Sequence, residues 1–182
     1  MRIISGCYRG KKLFTPNDDR IRPTADRTRE AVFSILFSKM EKSFSECSVL
    51  DVFSGSGALG LEALSRGAKK ALFVDINLSL TKKNVVAFGA KNVAFIERDA
   101  RKLPVCNEKF DLIFMDAPYN KGLSEEALEC LFKQGYLSDD AIIVVEVARD
   151  EELGLSDNFN VEDIRTYGAC KVLFLSVNRG VA

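Results

Sequence analysis

Short apolar runs alternate with amphipathic stretches along most of this chain. Val49-Leu50-Asp51-Val52-Phe53, Ala71-Leu72-Phe73-Val74-Asp75, Val93-Ala94-Phe95-Ile96, Phe110–Met115 and Ile142–Val147 are too continuously apolar for strands with one wet face. They predict strands covered on both sides. Between them lie helical patterns: Ala58–Leu64 stopped by Gly67, about Leu78–Phe88 closed by Gly89, and about Glu125–Gln134. Strands that alternate with helices predict a mostly parallel sheet with helices on both faces. Val161–Thr166 and Lys171–Val177 have only Tyr167-Gly168-Ala169 between them, which predicts a C-terminal antiparallel hairpin. The expected fold is therefore α/β, with a seven-stranded sheet.

The first part of the chain follows another pattern. Residues 1–15 alternate polar and apolar positions, interrupted by Gly6 and Gly10, and predict a small β-hairpin or extended arm. Pro16-Asn17-Asp18-Asp19 is a turn. Arg22–Arg27 reads as a helix entrance, with Thr24 at the N-cap and Asp26 in the first turn. That helix runs to about Met40 and puts Val32, Ile35, Leu36 and Met40 on one face.

With 182 residues the chain predicts one domain over 1–182, residues 1–24 forming the arm. No apolar run reaches the ~20 residues of a membrane span, and the first residues lack a signal-peptide core, so a cytoplasmic protein is expected. Cys7, Cys47, Cys106, Cys130 and Cys170 make no C-x-x-C, so neither a zinc site nor a dithiol motif is suggested. The absence of histidine removes the commonest general base, Ser-His and Cys-His pairs, and histidine metal ligands. Carboxylates, backbone groups, aromatics and a cofactor must carry any chemistry, with no metal. The zero net charge hides a split: residues 1–29 carry +5 and the remainder −5. A basic end favours a polyanionic partner.

The stretch from Val49 to Gly60 organises the candidate chemistry. Gly55, Gly57 and Gly60 form a G-x-G-x-x-G between a strand and a helix, where unpaired N–H groups face a ligand. A dinucleotide is the usual reading. Asp51, just before the loop, would repel a pyrophosphate but suits a ligand with an ammonium group, as S-adenosylmethionine has. Asp51, Asp75, Asp99 and Asp116 each fall at or just past a predicted strand end, where ligands sit in such sheets.

The stretch resembles the first motif of the Rossmann-like methyltransferases. That resemblance implies a cofactor site made by Asp51, Phe53, Gly55 and Gly57. Asp75 would take the ribose hydroxyls, and Asp99 with Ala100 the adenine edge. Asp116-Ala117-Pro118-Tyr119 resembles the D/N-P-P-Y/F motif of methyltransferases acting on planar nitrogens. An exocyclic amine is a poor nucleophile because its lone pair is delocalised. Asp116 and the carbonyl of Ala117 or Pro118 would grip its N–H groups and turn the lone pair toward the methyl donor. Pro118 fixes the turn, and the Tyr119 ring offers a stacking surface with its hydroxyl incidental.

The motif alone leaves adenine N6, cytosine N4, guanine N2 and glutamine amide open. Met1-Arg2-Ile3-Ile4-Ser5-Gly6, Tyr8-Arg9-Gly10-Lys11-Lys12-Leu13 and Arg22–Phe33 look like the opening of the RsmD family, bacterial enzymes that methylate N2 of one guanine in small-subunit ribosomal RNA. The resemblance implies that Arg9, Lys11, Lys12 and Arg22 meet RNA, and that Thr24 and Arg27 border the cofactor's carboxylate end. A monomer acting on ribosomal RNA or the small subunit is expected. Two positions depart from the family pattern. Ala117 stands where most members have proline, and Asp75-Ile76-Asn77 where relatives often have glutamate and a charged pair. The rival readings are a nicotinamide-dependent oxidoreductase, a DNA adenine methyltransferase and a non-catalytic RNA-binding assembly factor.

Overall fold

The computed structural model describes residues 1–16, 23–40, 42–178 and 180. The apolar runs form β1 (Ser48–Val52), β2 (Lys70–Asp75), β3 (Val93–Glu97), β4 (Phe110–Asp116) and β5 (Leu137–Ala148). The closing hairpin is β6 (Phe159–Tyr167) and β7 (Cys170–Val177). Helices α1 (Pro23–Lys39), α2 (Ala58–Ser65), α3 (Ser79–Phe88) and α4 (Leu123–Lys133) complete the chain, with short 3-10 turns at Phe44–Glu46 and Ala100–Lys102. The strands make one sheet in the order β3-β2-β1-β4-β5-β7-β6. β1 to β5 are parallel; β7 runs antiparallel to both β5 and β6.

Side chains alternate across the sheet with a period of two, so each strand feeds two cores. Val49, Phe73, Leu112, Phe114, Val144 and Phe174 face α1, α2 and the N-terminal arm, where Ile3, Leu13, Phe33, Leu36 and Leu61 are buried. Leu50, Val52, Ile113, Met115, Ile143 and Val145 face α4, through Ala127, Leu128 and Leu131. This is why the runs read as continuously apolar.

Two local expectations change. Phe53 is not part of the first strand; β1 ends at Val52 and Phe53 turns away with φ of 58°. Thr24 is not the cap of α1, because the helix already includes Pro23. Proline suits a first helical position, where its missing N–H costs nothing. The Thr24 side chain and all of Arg22 lie outside the described residues.

The arm is a hairpin: Arg2 bridges Lys12, and Ile3 N–H donates to the Lys11 carbonyl at 3.0 Å. It is fastened to α2 by Glu62, which has no exposed surface. The Glu62 carboxylate accepts N–H bonds from Ile4 (2.8 Å) and Ser5 (3.0 Å) and from the Arg66 guanidinium (2.8 Å), and lies 3.7 Å from Arg29. Arg29 in turn donates to the Arg2 carbonyl at 2.6 Å. Ser65 continues the seam, its carbonyl accepting from Cys7 N–H at 2.8 Å. Gly6 has to be glycine, since a Cβ there would sit 1.7 Å from the Ser65 carbonyl oxygen. Burial also lowers the tendency of Arg29 to hold its proton, a cost that Glu62 and Asp26 offset. Glu62→Ala leaves the buried Arg29 guanidinium with Asp26 alone and unties Arg66, Ile4 and Ser5, and should cost about 3–5 kcal/mol of unfolding free energy. Denaturant titration checks the energy. Faster tryptic cutting after Arg9 and Lys12 checks the arm; unaltered protection would show that the arm is held by something else.

Candidate active site

From β1 the chain winds outward through β2 and β3, then returns to add β4 and β5 on the other side of β1. The carboxyl ends of β1 and β4 therefore flank a switch point, where helices diverge and a crevice opens. Asp51 lies near the end of β1, and Asp75 and Asp116 close β2 and β4. Asp99 follows β3 and caps the 3-10 turn after it.

The loop between β1 and α2 is built from unusual backbone. Phe53, Gly55 and Gly57 all have positive φ, at 58°, 52° and 77°. For a bulky residue such as Phe53 this is a strained conformation, of the kind found at ligand sites. The glycines have different jobs. A Cβ on Gly55 would meet only the Phe53 carbonyl oxygen, at 4.0 Å. A Cβ on Gly57 would strike Thr81 at 2.9 Å, and one on Gly60 the Phe73 ring at 2.4 Å. Gly57 and Gly60 thus let the loop and helix pack against α3 and β2. The Thr81 hydroxyl donates to the Gly55 carbonyl at 2.8 Å, and Asn84 holds the Ser56 and Phe14 carbonyls at 2.8 and 2.9 Å.

Asp51 does not line the crevice. It is 2% exposed and accepts the Gly60 N–H at 2.8 Å. Burial pushes its carboxyl up to about 8, with Asp116 and Asp75 adding to the effect and the Gly60 bond opposing it. Through that bond it organises the loop from beneath. An ammonium group above it would draw it toward the ionised form.

Two cavities meet at the end of β4. The first, of about 560 Å³, is lined by Phe53, Asp75, Ile76, Asp99, Ala100 and Asp116–Tyr119. The second, of about 490 Å³, is lined on the arm side by Thr28, Leu59, Tyr167, Cys170 and Glu146, and again by Asp116 and Tyr119. Asp116 and Tyr119 are their common wall. Phe53, Asp75, Asp99, Ala100 and the Asp116–Tyr119 loop are brought together as the sequence suggests. Gly55 and Gly57 act through the backbone beside the first cavity. Arg27 is exposed on α1 and lines neither.

The first cavity fits an adenosine-like ligand. Asp75 accepts N–H bonds from Gly55 (2.9 Å) and Asn77 (3.1 Å), one on each oxygen, which leaves a lone pair on each for vicinal hydroxyls. Ile76, 76% exposed, offers an apolar surface for a flat ring. Sequence reading passed over it, although an exposed isoleucine directly after a strand-ending acid is the available signal. Asp99 is engaged by Arg101, whose guanidinium (2.7 Å) and N–H (3.0 Å) push its carboxyl down to about 2.

At the common wall the Asp116 residue reaches the surface, and desolvation by the protein packed around its carboxyl, with the neighbouring Glu146, pushes that carboxyl up. The Tyr119 hydroxyl donates to Glu146 Oε1 at 2.6 Å; desolvation first, and then this bond and the Glu146 charge, make it less acidic. The hydroxyl thus has a partner that the sequence alone did not reveal.

This strand order, with its reversed last hairpin, glycine loop and acid-ended strands, defines a Rossmann-like methyltransferase domain. The chain matches the family described as Conserved hypothetical protein 95 over residues 1–176. It is 36% identical over 176 residues to ribosomal RNA small subunit methyltransferase D of Haemophilus influenzae, covering 92% of this chain and 89% of that one. The Escherichia coli K12 protein of the same name is 38% identical over 150 residues, covering 80% and 74%. The solved structure of yhhF from Escherichia coli aligns with a TM-score of 0.83 at 32% identity, covering 98% of each chain. The chain belongs to this family, the RsmD family.

Asp51 gives a testable pH dependence. Its folded value of about 8 lies above the ~3.9 of an unfolded aspartate. The stabilisation is full at low pH and is lost as pH climbs through about 8. Asp51→Asn, which keeps an acceptor for Gly60, should lower the slope of Tm against pH and melt above wild type at alkaline pH. It should also bind S-adenosylmethionine more weakly. Parallel Tm–pH curves for the two proteins would contradict the burial argument.

Proposed function

We propose that the protein transfers a methyl group from S-adenosylmethionine to the exocyclic N2 of a guanine in small-subunit (16S) ribosomal RNA. One observation carries this reading: Asp116 and Tyr119 form the shared wall between a cavity with adenosine-type acceptors and a second cavity beside the basic arm. The names of its relatives support ribosomal RNA as the substrate.

Asp75, Asp99, Ala100, Phe53 and Ile76 would hold the cofactor, with Asp51 beneath the glycine loop. When bound, the cofactor would supply an electrophilic methyl on a sulfonium, with S-adenosylhomocysteine as the leaving group, and the methylated amine would pass its extra proton to water. The residues' task is placement, which suits a chain without histidine. Asp116 accepts one N–H of the amine, and the carbonyl of Ala117 or Pro118 accepts the other. Ala117 keeps the carbonyl that proline would have offered, and its side chain is buried, 5% exposed, so the loop is packed in place. The Tyr119 ring offsets part of the cost of unstacking the base, through stacking on the order of 1–3 kcal/mol.

The arm supplies the RNA face. Arg9, Lys11 and Lys12 are exposed on a hairpin whose Met1 reaches the second cavity. Lys11 is partly committed, since its ammonium donates to the Phe88 carbonyl at 3.1 Å and sits over the Tyr8 ring. Arg9 and Lys12 are the stronger candidates for phosphate contact. The protein is read as a cytoplasmic monomer; no helix among the described residues is long and apolar enough to cross a membrane.

Single-turnover methyl transfer to unmodified small-subunit particles tests the site. Asp116→Ala should lose about a hundred-fold in rate or more, while S-adenosylhomocysteine affinity stays near wild type. A variant that keeps about a tenth of the rate would refute the orienting role. Arg9→Ala should flatten the salt dependence of RNA binding by about 0.7–0.9 log units. A wild-type slope would remove Arg9 from the RNA footprint.

A further inference from the structure

Asp116 and Glu146 are register partners at the carboxyl ends of β4 and β5. In a parallel ladder such partners point to the same face, and here they continue the rows Leu112-Phe114-Asp116 and Val144-Glu146 beyond the core. Two adjacent carboxylates repel each other, and the fold gains nothing from the pair. Arg29, the guanidinium lining the same cavity, is committed to Asp26, Glu62 and the Arg2 carbonyl. Glu146 is half-buried, and its carboxylate is met by a neutral donor, the Tyr119 hydroxyl, at 2.6 Å. A neutral donor is easily exchanged for a ligand donor in the same place. The methyl-transfer scheme above gives Glu146 no task.

We propose that Glu146 is the specificity-determining group of the second cavity: its carboxylate accepts the N1–H of the extruded guanine while Asp116 accepts from N2. This rests on the guanine-N2 reading. Guanine is the base whose exocyclic amine adjoins a ring N–H, so its edge offers donors side by side to acceptors side by side. Adenine and cytosine place a ring lone pair next to their amine, and a carboxylate there repels it. The same pair thus attracts guanine and rejects the alternatives, which is how a carboxylate can select among amines of similar reactivity. The Tyr119 hydroxyl holds the Glu146 site in the free protein and yields it as the base stacks on the ring.

The test compares guanine with 2-aminopurine, which keeps the N2 amine but has a lone pair at N1. Small-subunit RNA is ligated with either base at the mapped target position and assembled into particles. Wild type should prefer guanine by about a hundred-fold in kcat/KM. Glu146→Gln, whose amide can donate to that lone pair, should narrow the preference at least about ten-fold and bind S-adenosylhomocysteine as wild type does. Tyr119→Phe, which leaves the carboxylate in place, should keep the guanine preference and serves as the second variant. An unchanged preference in Glu146→Gln, or loss of preference in Tyr119→Phe alone, overturns the assignment. Nucleoside analysis of the wild-type product separates the failures. A methyl group elsewhere than guanine N2 removes the functional reading itself. N2-methylguanosine with an unaltered preference in Glu146→Gln removes the role of Glu146 alone.

Discussion

One edge of the sheet gathers negative charge, and much of the molecule is arranged around tolerating it. Asp51, Asp75, Asp116 and Glu146 lie at the carboxyl ends of neighbouring strands, and the hydrogen bonds that Asp51, Asp75 and Glu146 accept come from neutral donors. Gly60 N–H serves Asp51, Gly55 N–H serves Asp75, and the Tyr119 hydroxyl serves Glu146. Asp99, one strand further out, is the one tied to a guanidinium, that of Arg101. Buried cations at the inner sites would have quenched the field. Backbone donors leave it available to a ligand that carries ammonium, hydroxyl and amine donors. The strained loop through Phe53 and Gly55 is the structural consequence, since it is what aims those N–H groups at the strand ends.

The arm solves a separate problem. A hairpin of 13 or so residues is marginal alone, and it is held because Glu62 is buried under it with Arg29 and Arg66. That carboxylate pairs with Arg29, which lines the second cavity, and holds the hairpin on which Arg9 and Lys12 are exposed. The arm and the wall of the second cavity therefore share Glu62 and Arg29 as a common buried seam.

Much of the architecture was legible because strands buried on both faces leave continuous apolar runs, and because Gly67 and Gly89 stop helices where they should. The seven strands and the final hairpin could be read this way, while the grouping of Phe53, Asp75, Asp99, Ala100 and Asp116–Tyr119 came from the motif resemblance. Other features depend on tertiary neighbours that local pattern does not encode. Asp51 looked like a ligand group because its burial under the helix start was invisible. Gly57 looked like ligand space, although its missing Cβ accommodates Thr81. Glu62 read as an ordinary polar position of an amphipathic helix. Glu146 was hidden inside an apolar strand, and only register with Asp116 gives it meaning. Thr24 and Arg27 rested on resemblance: the Thr24 side chain lies outside the described residues, and Arg27 lines neither cavity.

The central claim is that the edge of carboxylates delivers a methyl group to one guanine amine. Small-subunit particles from cells lacking the gene, incubated with the purified protein and isotope-labelled S-adenosylmethionine, can be digested to nucleosides and read by mass spectrometry. Label in N2-methylguanosine, at a single position of the RNA, is the predicted result. Label in N6-methyladenosine or in protein, or none with folded and cofactor-binding protein, would contradict it.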